Sequence, residues 1–121
     1  MVVVTGRLKE MMIANLSDPE SRLIITAANE KPRTAVEMGK ELNLPQSTLY
    51  RKISGLKECG LLMVEEFEVE QDGRREAKYS CPFSEVRFKV VEGEIELDVV
   101  QTKESVEKRW FELFFSRKGI N

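Results

Sequence analysis

Leu44-Pro45-Gln46-Ser47-Thr48-Leu49-Tyr50-Arg51-Lys52-Ile53-Ser54-Gly55-Leu56-Lys57-Glu58-Cys59-Gly60-Leu61 is the stretch that decides the fold. Pro45 breaks the segment before it, and Gly60 stops the helix that Pro45 opens. Between them Leu49, Ile53 and Leu56 recur at spacings of four and three, which aligns them along one stripe of an α-helix running from Gln46 to Cys59. Successive helical side chains lie about 100° apart, so Ser47, Arg51 and Ser54 point away from that stripe, with Thr48, Tyr50 and Lys52 on its flanks. The helix therefore buries an aliphatic edge and exposes a hydrogen-bonding, cationic face.

Upstream, three shorter helical patterns lead to it. Leu8, Met11, Met12 and Leu16 have helical spacing from Arg7 onward, behind a floppy start over Met1 to Gly6. Ser17 or Asp18 serves as the N-cap of a second helix, Pro19 suits its first position, and Leu23, Ile24 and Ala27 form its buried face as far as Glu30. Lys31-Pro32 breaks that helix. Thr34 caps a third one reaching Leu42, with Val36, Met38 and Leu42 as its apolar residues.

Downstream the period changes from helix to strand. Leu61, Met63, Phe67 and Val69 are apolar at odd positions, interrupted by Glu65, and Ala77, Tyr79 and Cys81 continue the odd phase after a turn at Asp72-Gly73. A two-residue loop would pair odd with even positions, so the phase predicts a loop of three or five residues, tipped by Gly73, Arg74 and Arg75. A second hairpin alternates Val86, Phe88 and Val90 with Ile95, Leu97 and Val99. If Glu92-Gly93 forms its loop, Lys89 faces Glu96 and Arg87 faces Asp98; a rival loop at Gly93-Glu94 keeps the same apolar face and pairs Lys89 with Asp98. A last helix, capped by Thr102 and running from about Lys103 to Arg117, carries Val106, Trp110, Leu113 and Phe114 on one stripe, widened by Phe111 and Phe115.

Composition narrows the function classes. The 121 residues suit one domain, and no apolar run is long enough for a membrane span. The N-terminal Met-Val-Val-Val lacks the parts of a secretory signal, which places the chain in the cytoplasm. Histidine is absent, and the two cysteines, Cys59 and Cys81, lie far apart. Metal sites and His-based catalysis are thus poorly supplied; the reading is of a non-enzyme with no metal and no cofactor. A net charge of −2 and a pI near 5.4 leave room only for a local basic footprint. Arg51, Lys52 and Lys57 provide one against Glu58, whereas Glu65, Glu66, Glu68 and Glu70 crowd the next strand and are expected to face away from any polyanion.

Helices in this order, a Pro-broken turn before the third helix of the reading head, and a hairpin behind it specify an α+β winged helix-turn-helix with an extra C-terminal hairpin and a C-terminal helix. Residues 1–82 form the reading region and 83–121 the added hairpin and helix. The segments Leu16-Ser17-Asp18-Pro19-Glu20-Ser21-Arg22, Thr34-Ala35-Val36-Glu37-Met38-Gly39-Lys40-Glu41-Leu42, Leu44-Pro45-Gln46-Ser47-Thr48-Leu49-Tyr50-Arg51 and Leu56-Lys57-Glu58-Cys59-Gly60-Leu61 resemble the ArsR-type transcription regulators, particularly archaeal ones. The likeness covers a little over half of the chain.

The resemblance implies a homodimer on double-stranded DNA, with the Gln46–Cys59 helix in the major groove and the first hairpin, the wing, on the flank. Gln46, Ser47 and Thr48 at the helix start suit base edges or phosphates, Tyr50 and Arg51 suit longer contacts, and Lys52 and Lys57 suit phosphates. Arg74 and Arg75 suit phosphates or a narrow minor groove. Trp110, Phe111, Leu113, Phe114 and Phe115 are the expected dimer contacts, because both faces of that helix are apolar. The chain departs from the family's metal sensors, whose cysteine ligands lie in or near the helix equivalent to Thr34–Leu42; none stands there. The expected outcome is repression. The alternative from another class is a winged-helix adaptor that binds protein rather than DNA, favoured by the acidic pI.

Overall fold

The helix boundaries are written by local chemistry. Asp18 accepts a hydrogen bond from the Ser21 backbone N–H (3.1 Å) and so starts α2 (Pro19–Glu30), with Pro19 at the first turn. Thr34 and Glu37 form a reciprocal capping box at the start of α3 (Ala35–Leu42): the Glu37 N–H donates to Thr34 Oγ1, and the Thr34 N–H donates to the Glu37 carboxylate. These bonds hold the Glu37 carboxyl below its ordinary range. Gly60, at φ 78°, ends α4 (Gln46–Glu58) in a Schellman turn. Its N–H donates to the Lys57 carbonyl (3.1 Å) and the Leu61 N–H to the Leu56 carbonyl (2.9 Å), with Leu56 and Leu61 both buried beneath the turn.

The computed structural model describes residues 2–101. Ahead of α2 lie β1 (Val2–Val4) and α1 (Gly6–Leu16); β2 (Arg33–Thr34) precedes α3. After α4 come β3 (Met63–Val69), β4 (Arg75–Ser80), β5 (Phe83–Val91) and β6 (Glu94–Gln101). Two antiparallel three-stranded sheets result, ordered β2-β4-β3 and β1-β6-β5. The segment expected to form the last helix, with Trp110, Phe111, Leu113, Phe114 and Phe115, lies outside the described residues.

Three expectations change. The segment expected to be a floppy start contains a strand: Val2 pairs with Val99 and Val4 with Leu97, so residues far apart in sequence share one sheet. Two-residue β2 pairs with β4 through Arg33–Tyr79 and Thr34–Lys78, closing the base of the wing. Third, Leu8, Leu23 and Val36 are exposed rather than buried, and the interior is made by Met12, Ile24, Ala27, Ala28 and Met38 with Leu49, Ile53, Leu56, Leu61 and Leu62. That cluster is continuous with Val4, Phe83, Leu97 and Val99 of the second sheet.

Both hairpins follow the phase of their side chains. In the wing Val69 pairs with Arg75, and the Glu70 N–H donates to the Arg74 carbonyl (2.8 Å), leaving Gln71, Asp72 and Gly73 as the turn. A bulge at Glu65 shifts the register, so Val64 pairs with Tyr79 and Phe67 with Ala77. Val64, and not Met63, therefore shares a face with Phe67; this is why the odd alternation broke at Glu65. In the second hairpin the loop is Glu92-Gly93, both at positive φ (51° and 81°) as a type I′ turn requires. Lys89 stands opposite Glu96 and reaches diagonally to Asp98 (3.4 Å).

The elements close on one another at small residues and polar contacts. Gly55 of α4 admits the Asn15 amide of α1, for a Cβ there would lie 2.7 Å from Asn15 Oδ1. Asn29 of α2 donates to the Phe83 carbonyl (2.6 Å), fixing the root of β5. Buried Arg33 ties the end of α2 to α3 through Glu30 (2.6 Å) and Glu41. Cys59 and Cys81 are both buried and outside any disulfide, and burial pushes the Cys59 thiol up, away from the reactive thiolate.

Candidate nucleic-acid interface

The turn between α3 and α4 sets the pose of α4. Asn43 adopts the left-handed conformation (φ 55°), and the Leu44 N–H returns to the Gly39 carbonyl (3.0 Å). Pro45 then opens α4, its carbonyl accepting from the Leu49 N–H (3.0 Å). Leu49, Ile53 and Leu56 enter the core, as their spacing predicts. Ser47, Arg51 and Ser54 are exposed on the opposite side, with Tyr50 half-exposed beside them and Thr48 partly covered. Glu58 ends this exposed row and bounds its positive potential.

Two polar side chains of α4 make contacts within the protein, although Gln46 itself stays exposed. The Gln46 amide folds back onto α3, with Nε2 3.4 Å from the Ala35 carbonyl and so close over Gly39 that a Cβ there would collide with it. Lys52 turns to the other flank. Its largely buried ammonium pairs with Asp18, the cap of α2, and with Glu20 (3.4 Å). The Lys52 hydrogen bond, aided by Ser21, holds the Asp18 carboxyl down at about 2, and the same carboxylates raise the Lys52 ammonium above its ordinary value. A lysine so compensated adds little field toward a phosphate.

Lys57 marks the border between helix and wing, its ammonium 5.9 Å from the centre of the buried Tyr79 ring. From Tyr79 the register carries the same face of the wing outward through Ala77 and Phe67 to Val69 and Arg75. Phe67 and Val69 are exposed there, and the Arg75 guanidinium lies over the Phe67 ring at 4.3 Å. Arg74 differs: its Nε donates to Asp72 (2.7 Å), and its N–H donates to the same carboxylate (3.0 Å), so the turn neutralises this arginine locally. These bonds lower the Asp72 carboxyl.

The acidic residues of β3 separate from this face. Glu66 and Glu68 pair in register with Lys78 and Glu76 on the other side of the wing, Glu68 lying 3.9 Å from Lys78, and Glu65 accepts from the Ser80 hydroxyl (2.8 Å). The site thus comprises an exposed row of Ser47, Tyr50, Arg51 and Ser54, then Lys57, then the Phe67–Arg75 face. Sequence reasoning missed Phe67 as a platform and Asp18 as the partner of Lys52. The flank position of Lys52, on the side of α4 that carries Gly55 and Cys59, was the available signal for the latter.

No group of three or more acidic, cysteine or histidine side chains among the described residues could hold a metal ion. No described helix is long and apolar enough to cross a membrane. Neither a family model nor a curated protein matches the sequence. The solved structure of reduced HlyU from Vibrio cholerae N16961 is similar, with a TM-score of 0.51 and 18% identity over 61% of this chain and 72% of HlyU. At that identity the likeness is one of fold, and together with the helix order and the β2-β4-β3 sheet it shows a winged helix-turn-helix.

Proposed function

We infer that this protein is a DNA-binding transcription regulator that docks α4 in the major groove and lays its wing along the flank. The observation carrying the reading is the exposed Ser47-Tyr50-Arg51-Ser54 row on a helix whose other side is locked into the core. Arg51 suits bidentate recognition of guanine, the hydroxyls suit phosphates or base edges, and Lys57 and Arg75 suit the backbone. Likeness to HlyU supports the fold on which the reading rests. A homodimer held by Trp110, Phe111, Leu113, Phe114 and Phe115 would present two such helices to a palindromic site in the cytoplasm, with repression by occlusion as the outcome.

Titrating labelled genomic duplexes at several salt concentrations tests this. Binding selective for some fragments and steeply salt-dependent is expected, whereas salt-insensitive binding or equal affinity for all fragments overturns it. The exposed apolar pair Phe67 and Val69 favours one other reading, a winged-helix adaptor for protein. Charge reversal at Arg51 separates the two: a DNA reader loses its operator, and an adaptor keeps its partner. Lys52 is unsuitable for that test because its reversal would break the contact between α2 and α4.

A further inference from the structure

One face of the wing overhangs the end of α4. It begins at buried Tyr79, whose ring lies beside the Lys57 ammonium, and continues outward through the pairs Phe67–Ala77 and Val69–Arg75. The four steps from Tyr79 to Arg75 cover about 13 Å at roughly 3.3 Å per strand residue. Over that distance the apolar side chains lose their cover: Phe67 is 52% exposed and Val69 68%. Alternation explains polar side chains on the solvated side of a ribbon, but not a phenylalanine and a valine left in water on the other.

Charge sorts the two faces. The opposite side carries Glu66, Glu68 and Glu76 around Lys78. Of the wing's three cations, Lys78 lies 3.9 Å from Glu68 and Arg74 is bound to Asp72, whereas Arg75 meets no carboxylate among the described residues and lies over the Phe67 ring. Lys57 at the root and Arg75 near the tip therefore bracket the exposed apolar pair, with the acids of the ribbon turned away. A surface of this kind matches a partner with anions outside and apolar rings within, which is the make-up of a DNA duplex, phosphates around stacked bases. Through Lys57 the face is also continuous with the exposed Ser47-Tyr50-Arg51-Ser54 row of α4.

We propose that Val69, with Phe67 behind it, is a wedge that enters the minor groove beside the α4 site and opens a base step there, while Arg75 holds the adjoining phosphate. The wedge presupposes that α4 binds DNA, as proposed above, and adds what the wing does to the duplex. Fit demands deformation: two strands about 4.8 Å apart, with their side chains, do not enter a groove about 6 Å wide unless it opens. Apolar side chains driven into a step from this groove unstack it and bend the duplex toward the major groove, which carries the flank around α4. Pyrimidine–purine steps yield most readily, so the wing gains a sequence preference without a base hydrogen bond.

The full chain and the duplex it prefers supply the test. With 2-aminopurine at successive flanking positions, fluorescence should rise several-fold at one step on binding, and energy transfer between dyes on the duplex ends should report a bend of roughly 20–90°. Val69→Ser, at an exposed strand end, should return both signals toward those of the free duplex at unchanged far-UV circular dichroism, while guanines beneath α4 stay protected from methylation. Replacing the yielding step by a stiff A-tract should weaken wild-type binding several-fold and Val69→Ser binding hardly at all. A preferred duplex that stays straight and stacked in the wild-type complex overturns the wedge and leaves α4 as the reader. A bend unaltered by Val69→Ser also overturns it. Failure to prefer any duplex overturns the reading of α4 itself, and the wedge falls with it.

Discussion

The ammonium of Lys52, on α4, rests against the carboxylate of Asp18, the residue that caps α2. One carboxylate thereby starts one helix and anchors another. Because Asp18 is held at about 2, below its ordinary 3.8, its contribution to stability is complete above the unfolded value and is lost as pH falls from about 4 through 2. Lys52 is shifted upward, so its share is complete below the ordinary lysine value of 10.5 and is lost at more alkaline pH. Chemical denaturation across these windows should show Lys52→Met less stable than the wild type at neutral pH, with a flatter acid limb. Parallel acid limbs in the two proteins would refute the coupling.

Arg51 and Lys52 are neighbours in sequence with opposite surroundings, one exposed and the other paired with Asp18 and Glu20. Arg51→Ala should weaken binding to the preferred duplex by about ten- to a hundredfold if it reads a guanine. Stability should change within about 0.5 kcal/mol, as for an exposed side chain away from any cap or core contact. Fluorescence anisotropy and thermal melts on the same preparations check both halves. Equal loss of affinity on every duplex would reassign Arg51 to the backbone.

Gly39 allows a reversal of sign to be measured. In an ordinary helix interior Gly→Ala stabilises by about 0.5–1 kcal/mol, but here the new methyl would displace the Gln46 amide. Gly39→Ala should be neutral or destabilising in the wild type, yet stabilising in a Gln46→Ala background. A double-mutant cycle with no coupling would show that Gln46 does not occupy the site.

On the wing, Phe67 supports Arg75 instead of packing a core. An exposed cation–π contact is worth about 0.5–1 kcal/mol, so Phe67→Leu should cost a few-fold in DNA affinity and Phe67→Tyr should retain it. The Arg75 guanidinium protons should move in the free protein's NMR spectrum when the ring is removed. Unchanged shifts in Phe67→Leu would dismiss the platform.

Helix ends were legible because they depend on residues within a few positions: Asp18 with Ser21, Thr34 with Glu37, and Gly60 behind Leu56. The second hairpin was legible because charge and apolarity agreed on one register, and its loop then selected Glu92-Gly93. Strands β1 and β2 were not, since three and two residues carry no period and their partners lie far along the chain. The Glu65 bulge hid the true phase of β3. For the site, spacing sorted α4 into inner and outer faces correctly, but it had no means to show that Gln46 folds back or that Lys52 meets a carboxylate on another helix.

The pairing of β1 with β6 also imposes a timetable. During synthesis Val2–Val4 is made well before its partner Leu97–Val99. Until then three consecutive valines have no strand to join, while the helices and wing between them can already form from nearby contacts. The winged body should therefore assemble ahead of the β1-β6-β5 sheet, and that sheet, by joining strands so far apart in sequence, should close after the winged body and open before it.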